Sequence, residues 1–255
     1  MNRRDLLAVA ALVLVQLGIA RADASEPTAI PSYVTAAIAD SARPTADTDR
    51  DSARKPAETL TFAGVKPGDQ VLELAPGRGY FTRLLSAVVG AHGKITIYTV
   101  APPPKPDAVP PQLTAITTDP HYTNVNLALK RLIEVKPAAA FNLVWTTQNY
   151  HDFLNIPDID MTTLNRAIFE SLKPGGLFLV VDHAAAAGSG ARDTNTLHRI
   201  DRDTVISQVK AAGFELEEEG NFLRNSSDPH TDKVFEGAVQ GHTDQFALRF
   251  RKPKK

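Results

Sequence analysis

A short polar segment follows the apolar run 141–145 and carries side chains that could move a proton. It reads Asn149-Tyr150-His151-Asp152. Because an imidazole titrates near neutral pH, His151 could deprotonate a hydroxyl group on a bound molecule, with Asp152 as its neighbour in the chain. The same polar residues could instead cap the next helix and satisfy backbone groups in the loop. We therefore take His151 and Asp152 as candidate catalytic residues, with helix capping as the alternative.

Histidines and carboxylates also gather after the run 176–181. They are Asp182, His183, His198, Arg199 and Asp201. Such residues are common metal ligands, but no tight ligand spacing is present, so the sequence predicts no metal site. Structural roles explain the last two residues instead. Asp201 could cap a helix that begins near residue 203, or Arg199 could pair with a carboxylate at a sheet edge.

The loop from Glu73 to Gly79 joins a buried apolar run to a helix that opens at about Tyr80. Gly77 and Gly79 would let the backbone approach a ligand closely, and the free N–H groups at the start of the helix would favour negative charge. In open α/β sheets, ligands bind at the carboxyl ends of strands where the strand order reverses. The alternative is a tight strand-to-helix turn that binds nothing.

Short apolar runs alternate with helical stretches from residue 70 onward, and this predicts a parallel sheet with helices on both faces. The expected strands are 70–75, 95–100, 125–128, 141–145, 176–181, 214–218 and 244–251. Helical spacing is found at 30–42, 47–63, 81–89, 161–172 and 203–212, with Pro56 as a potential break. The proline-dense stretch 101–111 predicts an irregular loop. A polar insertion at 220–242 could cover a site or mediate self-association.

Composition and charge limit the class of protein and of partner. The chain has 255 residues, which is enough for one large α/β domain with its own core. Its formal net charge of −1 does not favour a nucleic-acid partner. It contains no cysteine, so its core has to hold the fold without disulfides.

Residues 1–24 have the pattern of an export signal. Arg3 and Arg4 precede the apolar stretch 6–20, and an A-x-A cleavage site follows at 22–24. The apolar stretch is shorter than the roughly 20 residues that a spanning helix needs, so no stable membrane span is expected after cleavage. An uncleaved membrane anchor is the alternative. The paired arginines also fit a twin-arginine signal, and we expect a periplasmic protein.

Four motifs together resemble the class I S-adenosylmethionine-dependent methyltransferases. They are VKPGD at 65–69, ELAPGRG at 73–79, LKPGG at 172–176 and AAGF at 211–214. Their order and spacing fit that superfamily over roughly residues 47–252. The segments 149–152 and 197–201 are similar to a group of exported, poorly characterised methyltransferases.

The resemblance implies a fold, a division of the chain and a cofactor. The fold is a doubly wound, mostly parallel seven-stranded sheet of the Rossmann-like α/β class, with the last strand antiparallel. It occupies a domain at 47–255, after a signal peptide at 1–24 and an N-terminal extension at 25–46. The cofactor is S-adenosyl-L-methionine. The residues expected to contact it are Glu73, Ala75, Gly77, Gly79, Tyr80, Thr99 and Asn149.

Two positions depart from the superfamily's pattern. Ala75 stands where the first motif glycine would be, and the second strand ends at Thr99-Val100 without the acid that usually holds the ribose hydroxyls. The predicted function is methyl transfer to a small molecule. The missing acid supports an alternative, an exported binding protein that keeps the fold without catalysis. A hydrolase or isomerase that uses His151 or His183 is less favoured, because the chain has no G-x-S-x-G motif and no cysteine.

Overall fold

A computed structural model describes residues 29–100, 109, 111–135 and 139–254. The signal peptide expected at 1–24 and most of the expected loop at 101–111 lie outside these ranges. Within them, no helix is long and apolar enough to cross a bilayer.

One seven-stranded sheet forms the centre of the fold. Its strands are β1 (Gln70–Leu74), β2 (Lys94–Thr99), β3 (Val125–Arg131), β4 (Phe141–Thr147), β5 (Leu172–His183), β6 (Glu215–Gly220) and β7 (Gln245–Arg251). Their order across the sheet is β3-β2-β1-β4-β5-β7-β6. β7 is antiparallel to both of its neighbours, and the other adjacent strands pair in parallel. The predicted fold class is confirmed, because strands buried on both faces read as continuous apolar runs.

Helices cover both faces of the sheet. They are α1 (Ser32–Ile38), α2 (Thr45–Thr48), α3 (Asp51–Arg54), α4 (Pro56–Ala63), α5 (Tyr80–Val89), α6 (Pro111–Thr118), α7 (Leu132–Val135), α8 (Tyr150–Phe153), α9 (Met161–Ser171) and α10 (Arg202–Ala211). On one face α1, α4 and α5 pack with Val71 and Trp145. On the other face α8, α9 and α10 pack with Leu72 and Phe178. Val71 and Leu72 are neighbours on β1, so the alternation of a strand supplies both cores.

The N-terminal helical region is divided into short segments. The helix expected at 47–63 is split into α2, α3 and α4, and the last break falls at Lys55, which has a φ of 42°. Pro56 then begins α4, because proline has no N–H group and starts a helix more easily than it continues one. Before these helices, α1 buries Val34 and Ala37 in the same core as α5. The proposed domain boundary at residue 46 stays a prediction.

Two strands extend three or more residues beyond one end of their predicted runs. β5 begins at Leu172, four positions before the expected start, because residues 173–176 form an irregularity in its pairing with β4. β3 continues to Arg131, three positions beyond its apolar run. Apart from Leu172, the added residues at 173–175 and 129–131 are not fully buried, so the hydrophobic pattern does not mark them.

A buried ion pair holds the insertion at 220–242. Nη1 of Arg199 lies 2.8 Å from Oδ2 of Asp228, and neither side chain is exposed. Arg199 also donates to two backbone carbonyl oxygens. Its partner carboxylate therefore comes from the insertion and not from a sheet edge. Asp201 caps α10, as predicted.

The strand order reverses between β1 and β4. The chain runs outward from β1 through β2 to β3 and then returns to the other side of β1 as β4. The connections that leave the carboxyl ends of β1 and β4 therefore diverge and open a crevice. Two loops begin at this crevice. Residues 75–79 are called the glycine loop, and residues 148–152 are called the polar segment.

Candidate functional site

A cavity of about 490 Å³ opens at the crevice between β1 and β4. Its volume lies in the range of roughly 300–1,000 Å³ that is usual for small-molecule sites. Most of the predicted site residues line it, namely Glu73, Ala75, Gly77, Tyr80, Asn149 and Asp152. The crevice therefore brings the glycine loop and the polar segment together.

The glycine loop has a left-handed backbone at three positions. Ala75, Gly77 and Gly79 have φ angles of 51°, 58° and 81°. The left-handed conformation costs a residue with a Cβ atom about 1–2 kcal/mol. Ala75 is therefore strained, because its backbone adopts a conformation that suits glycine. A Cβ atom on Gly79 would collide with the side chain of Ile116, whereas one on Gly77 would meet nothing within 4 Å. Since Gly77 lines the cavity, its backbone is open to a ligand.

Glu73 is buried at the end of β1, beside the glycine loop. Its side chain accepts a 2.7 Å hydrogen bond from Oγ1 of Thr82 on α5, and the residue is 2% exposed. Burial raises the pKa of Glu73 to about 7, against the opposing effect of the Thr82 hydrogen bond. No cation among the described residues compensates its charge. A positive group bound in the cavity would therefore stabilise the ionised carboxylate.

Side-chain hydrogen bonds tie the segment after β4 to its surroundings. Nδ2 of Asn149 donates to the carbonyl oxygen of Ala75 at 3.0 Å, which joins this segment to the glycine loop. Gln148 has a φ of 60°, accepts a 2.6 Å hydrogen bond from Arg54 and donates a 3.0 Å one to Gln245. Asn149 stands at the N-cap position of α8, but its side chain makes no capping hydrogen bond. The Asn149 amide thus joins two loops instead of capping the helix.

Arginines from the N-terminal helices form another part of the cavity wall. The guanidinium carbons of Arg54 and Arg50 lie 4.8 and 5.8 Å from the ring centroid of Tyr80. The Tyr80 hydroxyl donates to Oδ1 of Asp51 at 2.5 Å, which fixes the ring between helices. Burial, together with the charge of Arg50, lowers the pKa of Arg54 to about 10. These contacts hold positive charge in the same cavity wall that contains the carboxyl groups of Glu73 and Asp152.

His151 is buried next to the cavity and is oriented by Asp182 at the end of β5. Its Nδ1 lies 2.7 Å from Oδ1 of Asp182, and its backbone N–H donates to Oδ2 at 2.8 Å. The backbone N–H of His183 donates to Oδ1 as well, so the carboxylate is held from several directions. This network makes Nδ1 the donor to Asp182. It turns Nε2 toward Asp152, whose Oδ1 lies 3.2 Å away.

Two neighbouring histidines differ in their ionisation. Burial opposes protonation of His151, but Asp182 and Asp152 outweigh it and raise the pKa of the ring to about 10. Burial lowers the pKa of His183 to about 4, and Asp182 only partly offsets this. At neutral pH His151 is therefore protonated and His183 neutral. To act as a general base, His151 would first have to lose this proton. An imidazole with an ordinary pKa is already largely deprotonated at neutral pH and would not need that step.

Two of the expected cofactor contacts lie outside the cavity wall. Gly79 sits at the N-cap of α5, and Thr99 ends β2. Oγ1 of Thr99 is buried and has no hydrogen-bond partner within the described ranges. The residues 101–108 that follow it are outside those ranges.

Several residues of the wall were not predicted from the sequence, and three of these come from segments far from both loops along the chain. They are Arg50, Arg54 and Phe235. The two arginines are four positions apart in a stretch with helical spacing, and this was the available signal. Phe235 is 63% exposed and lies in the polar insertion, where no periodic pattern marks it.

Solved structures with a similar fold include methyltransferases and a cyclase. An S-adenosylmethionine-dependent methyltransferase from Aquifex aeolicus matches with a TM-score of 0.56 and 14% identity, over 80% of this chain and 98% of its own. The 1,6-didemethyltoxoflavin-N1-methyltransferase of Burkholderia thailandensis, with bound 1,6-didemethyltoxoflavin and S-adenosylhomocysteine, matches at 0.54 and 16%, over 82% of each chain. The [4+2]-cyclase SpnF matches at 0.54 and 18%, also over 82% of each chain. No protein-family model and no curated protein matches the sequence.

These structural matches establish a common fold, but at such low sequence identity they do not establish a common activity. The strand order, the antiparallel β7 and the position of the glycine loop agree with that likeness. The chain therefore has the fold of the class I S-adenosylmethionine-dependent methyltransferases.

Proposed function

We propose that this chain is an S-adenosylmethionine-dependent methyltransferase that acts on a small molecule. The observation that carries the proposal is the cavity at the β1–β4 crevice, which has the glycine loop on one side and the polar segment 148–152 on the other. Ligands of open α/β sheets bind at such a reversal of strand order. A volume of about 490 Å³ suits a small acceptor, and no nucleic-acid partner is proposed.

The charges of the cavity wall provide a test of whether the cofactor fits. S-adenosylmethionine carries a sulfonium, an ammonium group and a carboxylate. Glu73 is buried, and no cation among the described side chains compensates its charge. A positive group bound beside it would therefore offset the free-energy cost of burying the ionised carboxylate. Arg54 lines the same cavity and could pair with a carboxylate. The residues present therefore fit the cofactor: Glu73 would stabilise its positive groups, and Arg54 would pair with its carboxylate.

The polar segment would serve the acceptor. Bound S-adenosylmethionine supplies an electrophilic methyl group, and the chain then has to hold an acceptor in line with it. We place Asp152 in the cavity wall on the acceptor side, with His151 beside it and fixed by Asp182. Because the pKa of His151 is raised, its ring would keep a positive charge beside Asp152, and the Asp152 carboxylate would orient the acceptor.

Calorimetric titration with S-adenosylmethionine and with S-adenosylhomocysteine tests the proposal. Gly77→Val would place a branched side chain in the open space of the cavity wall, and we expect it to weaken binding at least about tenfold. Gly241→Val is the matched control, because Gly241 also has a positive φ and open space around it but lies outside the cavity wall. We expect the control to bind as the wild type does.

A wild type that binds neither compound at high micromolar concentration would refute the proposed function. Equal affinities of the wild type and Gly77→Val would remove the glycine loop from the site. With binding established, transfer of a labelled methyl group to candidate small molecules identifies the acceptor.

A binding protein without catalysis is the second candidate. One observation favours it: β2 ends at Thr99 without a carboxylate that could hold ribose hydroxyls. The fold is also compatible with other chemistry, since the cyclase SpnF shares it. Thr99→Asp distinguishes the two candidates. A gain in cofactor affinity and methyl transfer would support a methyltransferase site, whereas a different small molecule that copurifies with the wild type would support the binding protein.

Export is a further part of the proposal and rests on residues 1–24. Fusion of residues 1–30 to a reporter that requires export in the folded state tests the twin-arginine route. Export of unfolded reporters alone would contradict the twin-arginine route. Residues 1–24 would then be a signal for the general pathway, which exports unfolded chains.

A further inference from the structure

Three potential ligand atoms converge at the edge of the cavity. His151, Asp152 and His198 each offer one, and all of these atoms lie within 4.8 Å of one another. Nε2 of His151 and Nδ1 of His198 lie 3.2 and 3.3 Å from the same Oδ1 of Asp152. Bonds of about 2.0–2.2 Å to a tetrahedral zinc ion separate neighbouring ligand atoms by about 3.3 Å. Both distances to the Asp152 oxygen match this separation.

Within this cluster, Nε2 of His151 is a buried atom without a hydrogen-bond partner among the described residues. The residue is 1% exposed, and Nε2 has no well-directed hydrogen-bond partner within the described part of the chain. The nearby Oδ1 of Asp152 is close enough, but it lies off the direction of a hydrogen bond from the ring. A buried polar atom without a partner is costly, and a metal ion at this point would provide one.

Asp182 orients His151 as a carboxylate orients a histidine that binds metal. It accepts from Nδ1 at 2.7 Å and is itself completely buried. Metal-binding histidines usually donate their other ring nitrogen to such a carboxylate, and the metal ion takes the place of the proton on the remaining nitrogen. The arrangement therefore already contains the supporting residue of a metal site.

His198 reaches the cluster through the fold and not through sequence spacing. A short parallel bridge between Ala184 and Ile200 brings its segment beside the end of β5. His198 itself has a φ of 56°, which is rare for a residue with a side chain, and its ring packs 5.0 Å from the ring of Phe235. A strained backbone that the neighbours maintain is typical of a functional position.

We propose that His151, Asp152 and His198 bind one divalent transition-metal ion, such as zinc, at the wall of the cavity. Two imidazole nitrogens and one carboxylate suit zinc, iron, cobalt or nickel, whereas magnesium and calcium prefer oxygen ligands. Three protein ligands leave at least one coordination position for another molecule. Because Asp152 lines the cavity, a donor atom of a bound small molecule could take that position. The site stands independently of methyl transfer.

Metal binding can be measured directly on the purified full chain. After removal of metal with a chelator, the protein is titrated calorimetrically with zinc chloride and, separately, with magnesium chloride. We expect one zinc ion per chain and no magnesium binding in the same concentration range. Substitution with cobalt should give a visible absorption band from the coordinated ion.

The variants separate this site from adventitious binding. We expect His198→Asn and Asp152→Ala to weaken zinc binding by more than about tenfold and to remove the cobalt band, and Asp182→Asn to weaken binding by about 10–100-fold. His198→Asn tolerates the left-handed backbone, and Asp152 is about half exposed, so both variants should fold. His121→Asn is the matched control, because His121 also lies beside a carboxylate, Asp40, at 2.8 Å, but is not one of the three clustered residues. Zinc binding that is the same in the wild type and in both ligand variants would overturn the proposal, as would no binding by the wild type. Neither result depends on the cofactor titration.

Discussion

Replacement of Glu73 by glutamine should change how the stability of this fold depends on pH. Burial raises the pKa of Glu73 from 4.5 to about 7, so the native state holds the proton more tightly than the unfolded state does. Below the unfolded pKa both states are protonated, and the favourable contribution of the bound proton is fully present. This contribution is lost between about pH 4.5 and 7, because the unfolded chain ionises in that range while the native state keeps its proton, and the loss is complete above pH 7.

The magnitude follows from the size of the pKa shift. One pKa unit is worth about 1.4 kcal/mol, so a rise from 4.5 to about 7 corresponds to about 3 kcal/mol. Glutamine stays neutral at every pH, and its amide oxygen can still accept the hydrogen bond from Thr82. The free energy of unfolding of Glu73→Gln, minus that of the wild type, should therefore increase by about 3 kcal/mol between pH 4.5 and about pH 8.

Urea unfolding at a series of pH values measures this difference. Trp145 is the single tryptophan and is fully buried, so its fluorescence reports the loss of the core. Glu58→Gln is the control, because it makes the same chemical change at an exposed glutamate on α4, outside the core. A difference for Glu73→Gln that does not change with pH would refute the reasoning, since Glu73 would then ionise in the native state as it does in the unfolded chain.

Three further predictions concern the loop, the insertion and the cavity wall. Ala75→Gly should stabilise the fold by about 1 kcal/mol, because it relieves a left-handed backbone at a residue with a Cβ atom; a loss of stability in urea unfolding would contradict this. Asp228→Ala should destabilise the fold by about 3–5 kcal/mol, because it leaves the charge of Arg199 buried and unpaired, and a change below about 1 kcal/mol in the same assay would show that the insertion is not held by this pair. Arg54→Met should weaken the binding of S-adenosylmethionine about tenfold or more while keeping most of the apolar packing against Tyr80; unchanged affinity in a titration would remove Arg54 from the proposed site.

The architecture could be predicted because its signals are local. Strands β1, β4, β5 and β7 are buried over several consecutive residues, and their apolar runs are visible without any knowledge of the rest of the chain. Gly77 and Gly79 mark the strand-to-helix turn, and Asp201 marks the start of α10. The sheet type, seven mostly parallel strands with the last one antiparallel, then follows from the motifs that resemble known methyltransferases. Together these signals located the glycine loop and the polar segment at one edge.

The rest of the site depends on contacts between distant segments. His198 reaches Asp152 through a bridge to the end of β5, and no spacing rule in the sequence describes that contact. Arg54 meets the cavity because the helix expected at 47–63 breaks at Lys55. The protonation of His151 depends on a carboxylate 31 positions away. Sequence patterns identify such groups, but the fold decides which of them share a site and what charge they carry.

The cavity wall has a consequence for cooperativity. Arg54 bonds to Gln148, which is 94 positions away, and Phe235 comes from near the other end of the chain. Contacts between such distant segments carry a large loop-closure entropy and are expected to form late in folding. A ligand that touches both sides would bind only the completed fold, so its binding energy would add to the stability of the whole domain. Occupancy of the cavity would then couple the N-terminal helices to the insertion, and the two would unfold together.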